Sequence, residues 1–378
     1  MGRRLGWVAC LLVLLVSGVH LLWPQPPAEP RLALGELLGE APEGDYAMAS
    51  SQVALSFPAD HRSHPDFRNE WWYLTGHLQD PVSGNRYGFQ LTLFRFALDP
   101  PGGLASTNSW VDRQLYMGHF AVSDLGGGSH RAVERFGRPG AGLAGAGGTP
   151  LRIWVGDWQL QAREAGTLFP LHLEAVDRGA EIGLSLVLEP LKPRVLQGEA
   201  GFSRKSREGG GSFYYSYTRL KARGSLSWSG RQAPVQGAAW YDHEWSSNVL
   251  APDQAGWDWF SLQLDDGREL MAFRFRTREG ETGWRQLSLV DRAGRITSLD
   301  PQQLLIEPLA YWRSDEGIRY PVRWRLKVPE AGLDLEVEAL LQDQEMALSV
   351  RYWEGAVRVR GSHRGQGFVE LTGYQRGD

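Results

Sequence analysis

Residues 60–78 read DHRSHPDFRNEWWYLTGHL. Three histidines, five other charged residues and the consecutive aromatics Trp71, Trp72 and Tyr73 fall within nineteen positions, a density that ordinary strand filler lacks. If the C-terminal part is extended, Trp71, Tyr73, Thr75 and His77 share one face, and Trp72, Leu74, Gly76 and Leu78 share the other. A second stretch, WYDHEWSS from Trp240 to Ser247, repeats the mixture. There Asp242 and Glu244 fall on one face with Trp240, and Tyr241, His243 and Trp245 on the other.

Outward from the first stretch, Asp80–Asn85 reads as a turn and Arg86–Ala97 as a returning strand, together a hairpin. Tyr87, Phe89, Leu91 and Leu93 face one way. At Phe94-Arg95-Phe96 the apolar set changes face, which predicts a bulge or a strand that leaves the sheet. Gln114–Asp124, carrying His119, is a further strand, and Gly137–Gly148 a Gly/Ala loop. Short strands continue at about ten-residue spacing to Phe368–Tyr374, and Asp265-Asp266-Gly267 marks a hairpin turn. No long amphipathic helix follows residue 50. With 378 residues, 16 Trp and 46 Gly, the pattern predicts an all-β chain with room for two antiparallel barrels or sandwiches. The expected domains are 53–246 and 247–378.

Charged residues at 22% and hydrophobic residues at 42% describe a globular chain. A net charge of −4 without a basic stripe argues against a nucleic-acid binder. Arg3 and Arg4 precede the apolar run Trp7–Val16, and Pro24-Gln25-Pro26-Pro27 ends it. Residues 1–24 are therefore read as a signal peptide or signal anchor, which places the rest in the periplasm or outside the cell. Any membrane contact is expected through this segment alone. Residues 25–52 read as a Pro/Ala-rich linker with a short helix near Leu32–Leu38. The single cysteine, Cys10, lies in the apolar run, so the expected exported part carries no disulfide.

The residues offer three chemistries. His61 and His64 with Asp60, Asp66 and Glu70, and with His77, His119 and His243, offer metal donors, but the spacing matches no zinc pattern; a hydrogen-bonded loop closing a barrel end suits it better. No G-x-S-x-G motif marks a serine nucleophile. The third is acid–base work in an aromatic cavity. A carboxyl among indole rings loses solvation, stays protonated near neutral pH and can protonate an alkene, whose cation Trp and Tyr faces then stabilise. Against this, Asp242 and Glu244 could be structural, paired with Arg68 or Arg95.

The motifs at Pro58–Leu78, Tyr87–Arg95 (YGFQLTLFR), Ser212–Leu220 (SFYYSYTRL), Ala239–Ser247, Tyr352–Val357 (YWEGAV) and Val369–Tyr374 (VELTGY) resemble the carotenoid 1,2-hydratase/AttH-type family. The resemblance runs from Val53 to the end. It implies two tandem lipocalin-like barrels and, for the hydratase branch, addition of water to an acyclic carotenoid without a cofactor. That branch uses an Asp preceded two residues earlier by an aromatic, a pattern that Trp240-x-Asp242 fills. It also uses an upstream His and Trp, where this chain reads Phe213-Tyr214-Tyr215. The chain is closer to the secreted branch, whose members often accompany ABC-type export systems.

The resulting expectation is a hydratase or hydrolase acting on a hydrophobic isoprenoid or lipid. Asp242 is its acid, with Tyr241, His243 and Glu244 beside it. Trp240, Trp245, Glu70, Trp71, Trp72, Tyr73 and His77 are its ligand-binding walls, and no metal is involved. Alternatives are a periplasmic lipid carrier serving an ABC-type transporter, and a structural envelope protein.

Overall fold

The computed structural model describes residues 46–101, 113–207, 210–248, 250–297 and 299–376. The expected signal or anchor segment, and the linker up to residue 45 with its short helix, lie outside the described residues. Within them the regular structure is β, apart from short 3-10 turns. No described helix is long and apolar enough to cross a membrane.

Two barrel-like antiparallel sheets carry the fold, each around its own apolar core. In the first, Ser129–Gly137, Gln114–Asp124, Arg86–Ala97, Asn69–Gln79, Arg231–Ser246, Gly211–Trp228 and Ile182–Pro190 follow one another, and shorter strands extend the sheet to Ala144–Gly147. In the second, Glu269–Thr277, Gln254–Leu264, Gly365–Thr372 and Arg351–Gly361 form the middle of the order.

Both motifs of the sequence lie in the first sheet, on strands that are direct neighbours. The longest hairpin there joins Gly211–Trp228 to Arg231–Ser246 through Ser229-Gly230, both at positive φ (49° and 76°). Two consecutive left-handed residues make the turn whose twist matches the flanking strands.

These central strands are buried on both faces, which explains the face change at Phe94-Arg95-Phe96. The expected bulge is absent: Arg86–Ala97 pairs without interruption with Asn69–Gln79 and with Gln114–Asp124. Phe89, Leu91 and Leu93 fill the first core, while Phe94 and Phe96 turn to a cavity shared with the second sheet. Arg95, fully buried, faces inward and ends the apolar row.

Close backbone approach fixes this central register. A Cβ on Gly237, which pairs with Leu78, would run into the carbonyl oxygen of His77. Gly237→Ala should therefore cost about 1–3 kcal/mol, the range for forcing a methyl group into packed structure. Gly147→Ala is the control, since nothing lies within 4 Å of the added carbon. Urea midpoints compare the two, and equal midpoints would refute the steric reading.

Candidate functional site

The two motifs pair antiparallel, with Glu70 opposite Trp245, Trp71 opposite Glu244, Trp72 opposite His243 and Tyr73 opposite Asp242. Strand alternation then sorts both motifs at once into two environments. Glu70, Trp72, Tyr241, His243 and Trp245 point into the first barrel. Trp71, Tyr73, Asp242 and Glu244 point at the second sheet and line a common cavity.

The inward set is a closed hydrogen-bond network. Arg95 Nε donates to Glu70 Oε2 at 2.8 Å, and His64 Nδ1 and His243 Nε2 reach Oε1 at 2.8 and 2.9 Å. The Ser63 hydroxyl and the His64 amide add two more donors. The rest of the Arg95 guanidinium reaches Gln114 Oε1 and the carbonyls of His64 and Phe67. His243 Nδ1 lies 3.1 Å from the Tyr215 hydroxyl, which also holds His61 Nδ1 at 2.8 Å. The His64 ring stacks on Trp245 at 3.7 Å. Burial alone would raise the pKa of Glu70, but the hydrogen bonds from His243 and His64 and the charge of Arg95 hold it well below the usual carboxylate range. Burial pushes His243 down to about 4, so it is neutral.

Glu70 was expected to share the cavity of Asp242. It does not: odd spacing places it on the opposite side of the sheet, and its charge is already matched. His64, Glu70 and His243 bring ligand atoms within 4.8 Å of one another. Their donors, however, meet the carboxylate directly, and Arg95 holds its other oxygen. These three groups are thus matched to one another and to Arg95.

The outward set is chemically different. Three neutral donors surround Asp242: Tyr214 OH at 2.9 Å from Oδ2, and Ser216 Oγ and Trp240 Nε1 at 2.5 and 2.8 Å from Oδ1. Among the described residues, no Arg, Lys or His hydrogen-bonds or ion-pairs with it. Burial raises its pKa to about 7, against the pull of those donors and with a push from Glu244. Glu244 instead has a cation: Lys205 Nζ lies 2.6 Å from Oε1, over the Phe273 ring, and Ser212 donates to the same oxygen. The expected structural partner Arg95 is taken by Glu70.

Around these carboxyls stand Trp71, Tyr73, Phe94, Phe96 and Met117 from the first sheet, and Trp257, Trp259, Phe273, Phe275 and Tyr352 from the second. Trp259 meets Tyr73 edge-on at 5.2 Å and Trp240 at 6.3 Å. The cavity volume is about 100 Å³. An engineered cavity of about 150 Å³ takes a benzene ring, so this one admits only the end of a larger hydrophobic molecule. His77 shares the face but not the cavity: its Nε2 contacts the Gly367 carbonyl at 2.8 Å, beside a separate groove.

The second sheet's wall was not anticipated from sequence as part of the site. It includes Glu370, and Glu354 lies directly opposite it on the next strand. The available signal was a lone acid in each of two apolar strand segments, YWEGAV and VELTGY.

Residues 48–374 match the AttH-like family, and the chain belongs to it. A crystal structure of an AttH protein from Nitrosomonas europaea is 35% identical, with a TM-score of 0.76, over 87% of this chain and 100% of that one. Kievitone hydratase from Nectria haematococca shares the fold at 15% identity, with a TM-score of 0.65, over 90% of this chain and 98% of that one. Among curated proteins, no sequence match was found.

Proposed function

We propose that this protein is an exported, cofactor-independent hydratase that adds water to a carbon–carbon double bond near the end of a hydrophobic isoprenoid, with Asp242 as general acid. One observation carries the reading: Asp242 is buried in an aromatic wall with neutral donors and, among the described residues, no paired cation. A carboxyl so placed can hold a proton near neutral pH and deliver it to an alkene carbon. The faces of Trp71, Tyr73 and Trp259 then stabilise the carbocation through their ring quadrupoles, and water adds to it. Hydrolysis of a lipid would use the same acid. The likeness to kievitone hydratase is one of fold and adds only that this scaffold hosts a hydration elsewhere.

The apolar lining also suits a carrier, which would bind the same ligand unchanged, in the expected setting of an ABC-type exporter. Incubation with an acyclic carotenoid in water enriched in oxygen-18 distinguishes the two. The enzyme gives an alcohol carrying the heavy oxygen. Recovery of bound, unaltered carotenoid would instead favour the carrier. The expected export is checked by cell fractionation of the full-length chain, where a cytoplasmic pool would count against it.

A further inference from the structure

The hydratase reading leaves one requirement open. Water that attacks a cation must lose a proton, and Asp242 has just given one away. We propose that Glu370, with Glu354 behind it, is the base of this cavity, an inference that rests on the hydratase reading and extends it to the second sheet.

Glu370 lines the cavity together with Asp242. Trp257 Nε1 donates to its Oε1 at 2.9 Å and fixes the carboxyl. Glu354 stands directly opposite it across the Arg351–Gly361 and Gly365–Thr372 strands. Glu354 is 2% exposed, and both its oxygens lack a hydrogen-bond partner of ordinary geometry. The hydroxyls of Tyr73 and Tyr352 act on it, and Tyr352 OH in turn lies 2.9 Å from His119 Nδ1. Among the described residues, no Lys or Arg forms an ion pair with either glutamate.

Two carboxyls in direct register without a cation cannot both ionise at neutral pH, so the pair keeps at least one proton, and Glu370, raised to about 8, carries the negative charge in a fraction of molecules that grows as pH rises. Burial raises both. The charge of Glu370 adds to the effect on Glu354, and those of Glu244 and Asp242 add to that on Glu370, where the Trp257 hydrogen bond opposes them. Lys205, which also lines the cavity, is committed to Glu244.

The step balances. The Asp242 O–H bond breaks as its proton forms a C–H bond to one alkene carbon. Water oxygen bonds to the other carbon, and one water O–H bond breaks as its proton passes to Glu370. The alkene and one water become one alcohol. The cycle closes when the proton now on the pair returns to Asp242 through cavity water.

Hydration of an acyclic carotenoid in oxygen-18 water, followed across pH, tests this with Glu370→Gln, Glu354→Gln and Asp242→Asn. Glu370→Gln is expected to lose at least a hundredfold in kcat and to lose the acidic limb of the pH profile. Glu354→Gln exchanges a carboxyl that is already protonated for a neutral amide, so it is expected to lose less and to leave that limb in place. A Glu370→Gln variant with wild-type rate and limb overturns the proposal, and an inactive Asp242→Asn beside it leaves the acid standing alone. If Glu370→Gln does not fold, Trp257→Phe, which removes the hydrogen bond that holds Glu370 down, should move the limb to higher pH, and an unmoved limb overturns the proposal. No hydration by the wild type removes this proposal together with the reading beneath it.

Discussion

Asp242→Asn lowers the hydration rate at least about a hundredfold, the lower end of what a positioned general acid contributes, and leaves the protein as stable as before. The second half of that expectation is what makes the first informative. Asparagine keeps the shape of the side chain and an oxygen to accept from Ser216 and Trp240. Its amide can donate to the Tyr214 hydroxyl, which turns to accept. Among the described residues no buried cation is stranded, because Asp242 pairs with none of them. The pH dependence gives an independent check. The folded pKa of Asp242, about 7, lies above its unfolded value, so the folded state binds the proton more tightly. That contribution is fully present below the unfolded value and is lost as pH rises through about 7. The wild type should therefore lose activity above that pH as the acid ionises. Asparagine, which does not titrate, should be no less stable than the wild type at pH 8. Thermal melting and rates measured on the same samples test both parts. A variant that is inactive only because it is unfolded would remove the support for Asp242 as acid.

Much of this was legible because strand alternation is a strict rule. The faces of Trp71–His77 and Trp240–Trp245 follow from counting by two, and the structure keeps those faces. Pairing was not legible. Nothing in either stretch says that Tyr73 lies opposite Asp242, since register is set by long-range packing and by close approaches such as that of Gly237 to His77. The same limit explains Glu70. Its residue type matches a cavity acid, but its place one residue before Trp71 puts it in the barrel, where Arg95 waits. The face change at Phe94-Arg95-Phe96 predicts a bulge or a strand that leaves the sheet only where one face of the strand meets solvent. A strand packed on both sides needs no irregularity to bury Phe94 and Phe96 on one face and Leu91 and Leu93 on the other. Glu354 and Glu370 do carry a signal in the sequence: an acid inside an apolar strand is either paired or in use. Which of the two holds depends on neighbours that only the folded chain brings together.

Glu70→Gln should do the opposite of Asp242→Asn, destabilising the protein by about 3–5 kcal/mol, the usual effect of stranding one member of a buried ion pair. Glu70 and Arg95 are both fully buried. In the variant the guanidinium keeps its bonds to Gln114, His64 and Phe67 but loses its counter-charge. The imidazoles of His64 and His243 lose the carboxylate oxygen they share. The pH dependence has a definite sign. The folded pKa of Glu70 is depressed, so its stabilisation is present above the unfolded value and is lost as pH falls through the folded one. His243, held neutral with a folded pKa of about 4, adds a separate loss as pH falls below its unfolded value, because only the unfolded state then gains the proton. The wild type should therefore weaken progressively in acid, and its advantage over Glu70→Gln should narrow there. Replacing both partners, as in Glu70→Leu with Arg95→Met, should recover only part of the loss: no charge is stranded, but His64, His243, Ser63 and Gln114 each lose a hydrogen-bond partner. Urea midpoints at pH 7.5 and 4.5 for the single and double variants measure each term. Because Glu70 does not line the cavity, folded Glu70→Gln should also retain the activity that Asp242→Asn loses. Wild-type stability in Glu70→Gln, combined with lost turnover, would move Glu70 out of the scaffold and into the chemistry.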